Sequence, residues 1–292
     1  MERSSAGQVV VEHYVRAAPD WLRAHVVKYI GYRSQAAPPQ RTLWVPAATV
    51  TLFLGWGDPL RLEDVQDRER EGTAWEAMAV GLHSHADISE ISGTAHGVQV
   101  EFTPLGAYCL LGLPLRHLAD KVIHPSEILG HRWVARLTEI LAQTPDWDDR
   151  CAVLDDAITA RLACGRTPSP VVLEAWRRLC ETRGQVTVTE LARITGRSRR
   201  RLEILFGEQI GLPPKTLARV LRFQNVITLP QIPGRTLAET ATLCGYYDQA
   251  HMNRDFRALS GLTPAQFRML TTNTTVTSEA SVHERITSIL SG

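Results

Sequence analysis

Two short segments carry side chains whose types suit hydrogen bonding to the edges of nucleic-acid bases. The first segment presents Arg199, Arg200, Arg201 and Glu203, and the second presents Gln249, Asn253, Arg254 and Arg257. Arginine pairs with guanine, glutamine or asparagine pairs with adenine, and glutamate accepts from the cytosine amino group. Apolar residues stand between them at helical spacing, which predicts helices with one buried face and one outward polar face.

The two segments belong to an internal repeat. Phe206–Pro214 has the pattern Phe-x4-Gly-Leu-x-Pro, and Phe256–Pro264 repeats it fifty residues later. Each copy is preceded by a short apolar-periodic segment, then a glycine (Gly196 or Gly245), then a second helical segment. A repeated helical pair of this kind predicts two helix-turn-helix units in tandem.

The residues between the paired helices support this prediction. Gly196 and Gly245 stand where the first helix of each pair ends, a place that favours a residue tolerant of positive φ. Ser198 and Asp248 are expected to cap the helices that follow. Inward-facing side chains are expected at Leu191, Ala192, Ile194, Leu202, Leu205 and Phe206 in the first unit, and at Ala241, Met252 and Phe256 in the second.

The second unit resembles the DNA-binding domain of AraC-type transcriptional regulators. The resemblance is carried by Gly245–His251, Arg254–Phe256 and Gly261–Pro264, and it covers roughly residues 170–270. It implies seven helices, and Pro213–Gln224 fits the long helix that would link the two units, with proline in its first turn. It also implies that the two recognition helices enter successive major grooves on one face of DNA, roughly 34 Å apart.

The resemblance assigns DNA contacts position by position. It implies base contacts by Arg199, Arg200 and Glu203 in the first recognition helix and by Gln249, Asn253 and Arg254 in the second. Phosphate contacts, which position a protein without specifying sequence, are implied for Arg197, Arg201, Lys215, His251 and Arg257. The first unit departs from the commoner family pattern in its three consecutive arginines, so we expect part of its role to be electrostatic.

Charge is distributed unevenly along the chain. Residues 166–272 hold 16 Lys and Arg against 8 Asp and Glu, a net charge of +8, whereas residues 1–165 hold 15 against 21. A basic module joined to an acidic one is what phosphate binding by only one domain would require. Solvated charged helices are the alternative explanation, and the helix-turn-helix repeat favours nucleic-acid binding over it.

The first half of the chain is predicted to be rich in β-strand. Strands are expected at Leu43–Pro46, Val50–Trp56, Trp75–Val80 and Gly97–Phe102, because these segments alternate or carry β-branched and aromatic residues. We expect a lead-in with some helix at residues 1–33, a turn or linker at 34–40, and a polar hairpin connection or loop at 58–72. Helices are expected from residue 104 onward, including 125–130, 131–143 and 150–163.

These expectations give an α+β chain. Its N-terminal part is a β-rich sensor, a cupin-like barrel or sandwich with a helical extension, and its C-terminal part is an all-α tandem helix-turn-helix domain. Val100–Pro114 resembles the sensor half of a subgroup of AraC-like regulators, which implies a sensor and dimerisation domain. We expect boundaries of 1–165 for the sensor/dimerisation domain, 166–270 for the DNA-binding domain and 271–292 for a flexible tail, since Gly and two prolines interrupt Cys164–Pro170.

Other candidate sites lie in the first half. His83, His85 and His96 form the most metal-like group, but surface or loop histidines explain them better, so we expect no metal. The aromatic residues Trp44, Phe53, Trp56, Trp75 and Phe102 could line an effector pocket or form the core, and the core is favoured. The five cysteines are scattered, which is typical of reduced thiols in a cytoplasmic protein.

The hypothesis from sequence is a sequence-specific transcriptional regulator of bacterial type, cytoplasmic and nucleoid-associated. Its partners would be double-stranded DNA at a promoter or operator, RNA polymerase, and a second copy of the chain as a homodimer, with a small-molecule effector left open. No enzymatic motif, cofactor or membrane span is expected. The alternative is a small-molecule-binding β-barrel protein whose basic module tethers it to DNA without sequence preference.

Overall fold

The computed structural model describes residues 2–6, 9–63, 73–230 and 232–272. Its first half is a sheet with a helical extension and its second half is helical, which confirms the predicted α+β class. The strands are β1 (Glu2–Ala6), β2 (Val9–Ala17), β3 (Val26–Trp44), β4 (Val50–Gly57), β5 (Leu60–Glu63), β6 (Thr73–Trp75), β7 (Ala77–Val80), β8 (Asp87–Phe102) and β9 (Val122–Ile123).

The strands form one antiparallel sheet in the order β1-β2-β3-β8-β4-β7-β9, with β5 paired to both β6 and β8. The long strands β3 and β8 run through both parts of the sheet. The first half of β8 pairs with β5 and its second half pairs with β4, while the β3–β8 register shifts between Ala36 and Gln40. The sheet therefore folds over, and side chains of β4, β5 and β7 line one cavity.

Two expectations for the first forty residues are wrong. The expected helical lead-in at 1–33 contains β1, β2 and the start of β3, and the expected linker at 34–40 lies within β3. The segment 9–15 is rich in valine with one tyrosine, a composition that fits a pleated sheet surface. The strands expected at 50–56, 75–80 and 97–102 are confirmed. Of the expected loop at 58–72, residues 60–63 form β5, and 64–72 lie outside the described residues.

The helical extension of the sheet comprises α1 (Pro104–Leu111), a 3-10 helix at Leu115–His117, α2 (Ser126–Leu129), α3 (His131–Gln143) and α4 (Trp147–Leu162). The buried carboxylate of Asp155 fixes α4 to the sheet. It accepts hydrogen bonds from the Tyr29 hydroxyl at 2.5 Å and from the Arg16 guanidinium at 2.9 Å. Close packing also requires Gly31, because a Cβ there would lie 2.3 Å from the Trp147 ring.

Seven helices follow in the described part of the second half, as the family resemblance implied. They are α5 (Pro170–Glu181), α6 (Val188–Thr195), α7 (Arg199–Gln209), α8 (Pro214–Thr228), α9 (Leu237–Leu243), α10 (Gln249–Ser260) and α11 (Pro264–Thr272). Helix α4 ends at Leu162 and α5 begins at Pro170, and a domain boundary between them stays a prediction. The flexible tail was expected at 271–292, and residues 273–292 of it lie outside the described residues. Within the described ranges, no helix combines the length and the apolar character needed to cross a membrane.

The linker helix α8 holds α10 in place through a buried ion-pair cluster. Asp255 on α10 accepts from Nε of Arg219 at 3.0 Å, and its second oxygen lies 3.7 Å from the guanidinium of Arg222. Both arginines are one α8 turn apart, so together they face one carboxylate. The rings of Phe223 and Phe256 pack edge to face beside this cluster, with centroids 4.8 Å apart.

The same linker helix contacts the first unit. The Arg222 guanidinium donates to the carbonyl oxygen of Gly184 at 2.9 Å, and Arg183 donates to the buried side chain of Asn225 at 2.9 Å. Gly184 and Arg183 belong to the connection between α5 and α6. One residue of α8, Arg222, therefore links the α5–α6 connection to α10, and α8 also packs directly against α7. These contacts fix the orientation of α7 relative to α10.

The sheet half packs against both units. Apolar side chains of the sheet and its helices form a continuous core with the first unit, and the 3-10 helix at 115–117 lies against α7. Leu43, Val45 and Ala86 join the cluster around α8 and α10. In addition, the backbone amide of Ala48 donates to the Gln224 side chain at 3.2 Å. In the described residues, the sheet half and the helical half are therefore in direct contact.

Replacing Asp255 by alanine tests the ion-pair cluster. We expect Asp255→Ala to lower the free energy of unfolding by about 3 kcal/mol, because it leaves two partly buried guanidinium groups without their carboxylate. The matched control is Glu174→Ala, which removes an exposed carboxylate from the surface pair with Arg177 and should change stability by at most about 1 kcal/mol. Equal losses in denaturant titrations of the two variants would contradict a structural role for the cluster.

Candidate nucleic-acid interface

The first helix-turn-helix unit consists of α6 and α7. Thr187 caps α6 by accepting from the Glu190 amide at 3.1 Å, and Gly196 ends this helix in the left-handed conformation at φ 63°. Ser198 then caps α7 by accepting from the Arg201 amide. Buried Leu191, Leu202, Leu205 and Phe206 join the two helices, as predicted, whereas Ala192 and Ile194 are only half-buried.

The second unit consists of α9 and α10. Thr236 and Glu239 form a reciprocal capping box at the start of α9, and Gly245 turns the chain at φ 77°. Asp248 caps α10 by accepting from the His251 amide at 2.6 Å. The buried side chains of Ala241, Met252 and Phe256 confirm the predicted inward face.

In the first unit, the predicted contact residues form an exposed band. Arg197, Arg199, Arg200, Arg201, Glu203 and Lys215 are all exposed. The Arg199 guanidinium donates a hydrogen bond to the Thr189 hydroxyl of α6. The three arginines lie in the first turn of α7, so their charges concentrate at its amino-terminal end. Such a surface can grip phosphates and reach base edges.

In the second unit, the predicted residues differ in exposure. Arg254 and Arg257 are exposed, whereas Gln249, His251 and Asn253 are half-buried. His251 lies 3.7 Å from Asp255 and packs edge to face on the buried Tyr246 ring. The position of His251 is therefore set by contacts inside the protein. Of the three base contacts predicted for α10, Arg254 is the most accessible, since Gln249 and Asn253 are half-buried.

Tyr247 was not among the predicted contacts. Its side chain is 93% exposed and directly precedes the cap of α10, whereas the neighbouring Tyr246 is 4% exposed. Burial raises the pKa of the Tyr246 phenol. Sequence could not separate two adjacent tyrosines, because the turn at Gly245 decides which ring enters the core. Tyr247 adds a hydroxyl at the edge of the candidate interface.

A cavity lies in the sheet half, with about 690 Å³ of space including the solvent at its mouth. Most of its lining is apolar and comes from the β3–β4 connection and from strands β4, β5 and β7. His83, His85 and Asp87 form its polar end, where the His83 Nε2 and His85 Nε2 lie 3.5 and 3.6 Å from the two Asp87 oxygens. A mostly apolar lining with a few polar groups at one end is typical of a small-molecule site.

The candidate residues of the first half divide between cavity and core. Trp44 and Phe53 line the cavity, and Trp75 packs beside its wall. Phe102 belongs to the core. The Trp56 ring lies under the Arg150 guanidinium, with its centroid 5.0 Å from the Arg150 Cζ.

The candidate histidines lie in two places. His83 and His85 lie in the β7–β8 connection rather than on a strand, and both are largely buried. His96 lies apart in β8, where burial lowers its pKa. The described ranges contain no group of three or more His, Cys, Asp or Glu that could hold a metal ion.

Comparison with known proteins finds sequence matches within the helical half. A family model described as "Helix-turn-helix domain" matches residues 191–269. The F1 operon positive regulatory protein of Yersinia pestis is 33% identical over 85 residues, which are 29% of this chain and 28% of that protein. The chain therefore matches less than a third of this relative's length.

Two solved structures are similar in outline. The C-terminal domain of AraT, a response regulator from Geobacillus stearothermophilus, covers 40% of this chain and 95% of its own, with 19% identity and a TM-score of 0.34. ToxT from Vibrio cholerae O395 covers 90% of this chain and 98% of its own, with 10% identity and a TM-score of 0.45. Residues 191–269, with their family match and their paired capped helices, are an AraC-type DNA-binding helix-turn-helix domain.

Proposed function

We propose that this protein is a sequence-specific DNA-binding transcriptional regulator. Residues 166–270 would be its DNA-binding domain, and α7 and α10 would enter successive major grooves on one face of the duplex. The observation that carries this proposal is the linker helix α8, which packs against α7 and pairs with Asp255 of α10 through Arg219 and Arg222. A tether that binds phosphates without sequence preference has no need for two recognition helices held in one orientation.

Within this interface, the predicted contact residues would divide into two roles. Arg199, Arg200 and Glu203 on α7, and Gln249, Asn253 and Arg254 on α10, would contact base edges. The phosphate contacts would be Arg197, Arg201, Lys215, His251 and Arg257, joined by Tyr247 through its hydroxyl. Phosphate contacts fix the register on the duplex, and base contacts select the sequence.

Residues 1–165 would be the sensor and dimerisation domain. We propose that the cavity of the sheet accepts a small, largely apolar effector. Val45 lines this cavity and also belongs to the apolar cluster around α8 and α10. An effector that displaces the 44–48 segment would therefore change how the sheet half contacts the linker helix. Two chains would pair through this half, and RNA polymerase would be the partner of the DNA-bound protein.

The two roles predict different effects of two substitutions. Arg254→Ala should weaken binding to the preferred duplex by about 1–3 kcal/mol and relax preference at one base position. Lys215→Ala should weaken binding to all sequences alike. It should also reduce the salt dependence of the affinity, because the variant releases one counterion fewer from the DNA when it binds. Affinities for preferred and random duplexes at several salt concentrations separate the two. An equal loss on random DNA for Arg254→Ala would support the tether instead.

Filling the cavity tests the coupling. Val80 lines the cavity, and Val80→Phe should occupy part of its space at a stability cost of about 1–3 kcal/mol. We expect the affinity of the full chain for its preferred duplex to shift by about fivefold or more, the lower range of allosteric coupling. Val27→Phe, at an exposed valine of the same sheet, is the control. A folded Val80→Phe variant with unchanged DNA affinity would contradict the proposed coupling.

A further inference from the structure

The two recognition helices carry their arginines at different positions along the helix. Ser198 and Asp248 cap α7 and α10 and are fifty residues apart in sequence, so every position of one helix has a counterpart in the other. The buried pair Phe206 and Phe256 keeps this offset. Position 204 of α7 therefore occupies the place that Arg254 occupies in α10.

At the two positions where α10 has its exposed arginines, α7 has no charge. Ile204 stands at the place of Arg254, and Gly207 stands at the place of Arg257. These positions are three residues apart, so they lie side by side on one helix face. In α7 the arginines are instead grouped in the first turn, at 199–201.

Ile204 is an exposed apolar side chain on this face. It is 51% exposed, whereas its neighbours Leu202 and Leu205 are buried. A single exposed isoleucine is common on protein surfaces and would carry no inference alone. Its neighbour Gly207 supplies the second observation.

Gly207 serves no packing purpose in the described part of the protein. It lies inside α7, where glycine destabilises a helix relative to alanine. A Cβ built at this position would meet nothing within 4 Å outside its own helix backbone. Glycine also allows another molecule to approach a backbone closely. The combination of Ile204 and Gly207 is a low, uncharged surface that fits against an apolar group in a groove.

We propose that Ile204 makes apolar contact with the 5-methyl group of a thymine in the first half-site, and that Gly207 allows the close approach this contact needs. The methyl group is the apolar feature that base edges present in the major groove. This inference rests on the proposed function and deepens it. The thymine methyl would add an apolar contact to the base contacts of the first half-site, where the second half-site has hydrogen bonds from Arg254.

The test uses the full chain and its preferred duplex, selected from a random pool. Each thymine of the duplex is replaced in turn by deoxyuridine, which lacks only the 5-methyl group. In wild type, one replacement in the first half-site should weaken binding about fourfold, the effect of burying one methyl-sized apolar group. Ile204→Ala should bind the thymine duplex about as weakly and should show no further loss with deoxyuridine. Ile204→Val, which keeps a branched apolar side chain, is the control that should retain most of the effect.

Gly207→Ala provides an independent readout. The added methyl group meets no neighbour in the protein, so the melting temperature should stay the same or rise, while affinity for the preferred duplex falls several-fold. A structural role for Gly207 would instead lower the melting temperature.

The outcomes separate this inference from the proposed function. If wild type prefers no duplex over random DNA, the proposed function and this inference both fail. If wild type prefers one duplex but deoxyuridine weakens wild type and Ile204→Ala equally, or weakens neither, only the thymine contact is overturned. A Gly207→Ala variant that binds as tightly as wild type would overturn the close approach.

Discussion

The arrangement of the helical half depends on one buried carboxylate. Asp255 on α10 accepts from Arg219 and lies beside Arg222, two arginines of the linker helix. A buried carboxylate is costly unless it is paired, so α10 can dock on α8 in the orientation that brings the two arginines to it. Because Arg222 also donates to the Gly184 carbonyl, the same cluster reaches the connection that leads into the first unit. A spacing fixed in this way would let the two proposed recognition helices read one site together.

The sheet half is tied to this frame at two places. The 3-10 helix at 115–117 contacts α7, and the 43–48 segment contacts α8. The 43–48 segment also lines the cavity, since Val45 belongs both to the cavity lining and to the apolar cluster around α8 and α10. A small change in the cavity therefore has a short physical route to the helix that positions α10. The proposed regulation needs no longer pathway than these directly packed side chains.

The helical half could be predicted well because its signals are local. Gly196, Ser198 and Asp248 act within one turn of their own position, so their spacing placed the helix starts correctly. Tyr247 and Ile204 were missed for different reasons. The exposure of Tyr247 depends on the turn geometry beside Tyr246, whereas Ile204 could have been found by aligning the two copies at their fifty-residue offset.

The sheet half was harder because strand pairing joins residues that are distant in sequence. The two prolines at 38 and 39 suggested a turn, but β3 continues past them with a shift in its pairing to β8 between Ala36 and Gln40. Proline is tolerated in a sheet at such irregularities. The cavity was equally hidden, since Trp44 and Phe53 line it while Phe102, of similar character, is core. Only the fold of the sheet separates these aromatic residues.

The distance at which α8 holds α7 and α10 can be measured through the spacing of the two half-sites. Duplexes enriched from a random pool by the full chain would be rebuilt with base pairs inserted between the half-sites, and the affinity for each would be measured. We expect half-sites about 10 base pairs apart, one helical turn of the duplex. An insertion of about five base pairs should remove the contribution of one half-site, and an insertion of a whole helical turn should not restore it, because α8 fixes the distance. If the affinity is independent of the spacing, or is restored by inserting a whole turn, α8 does not fix the distance between α7 and α10.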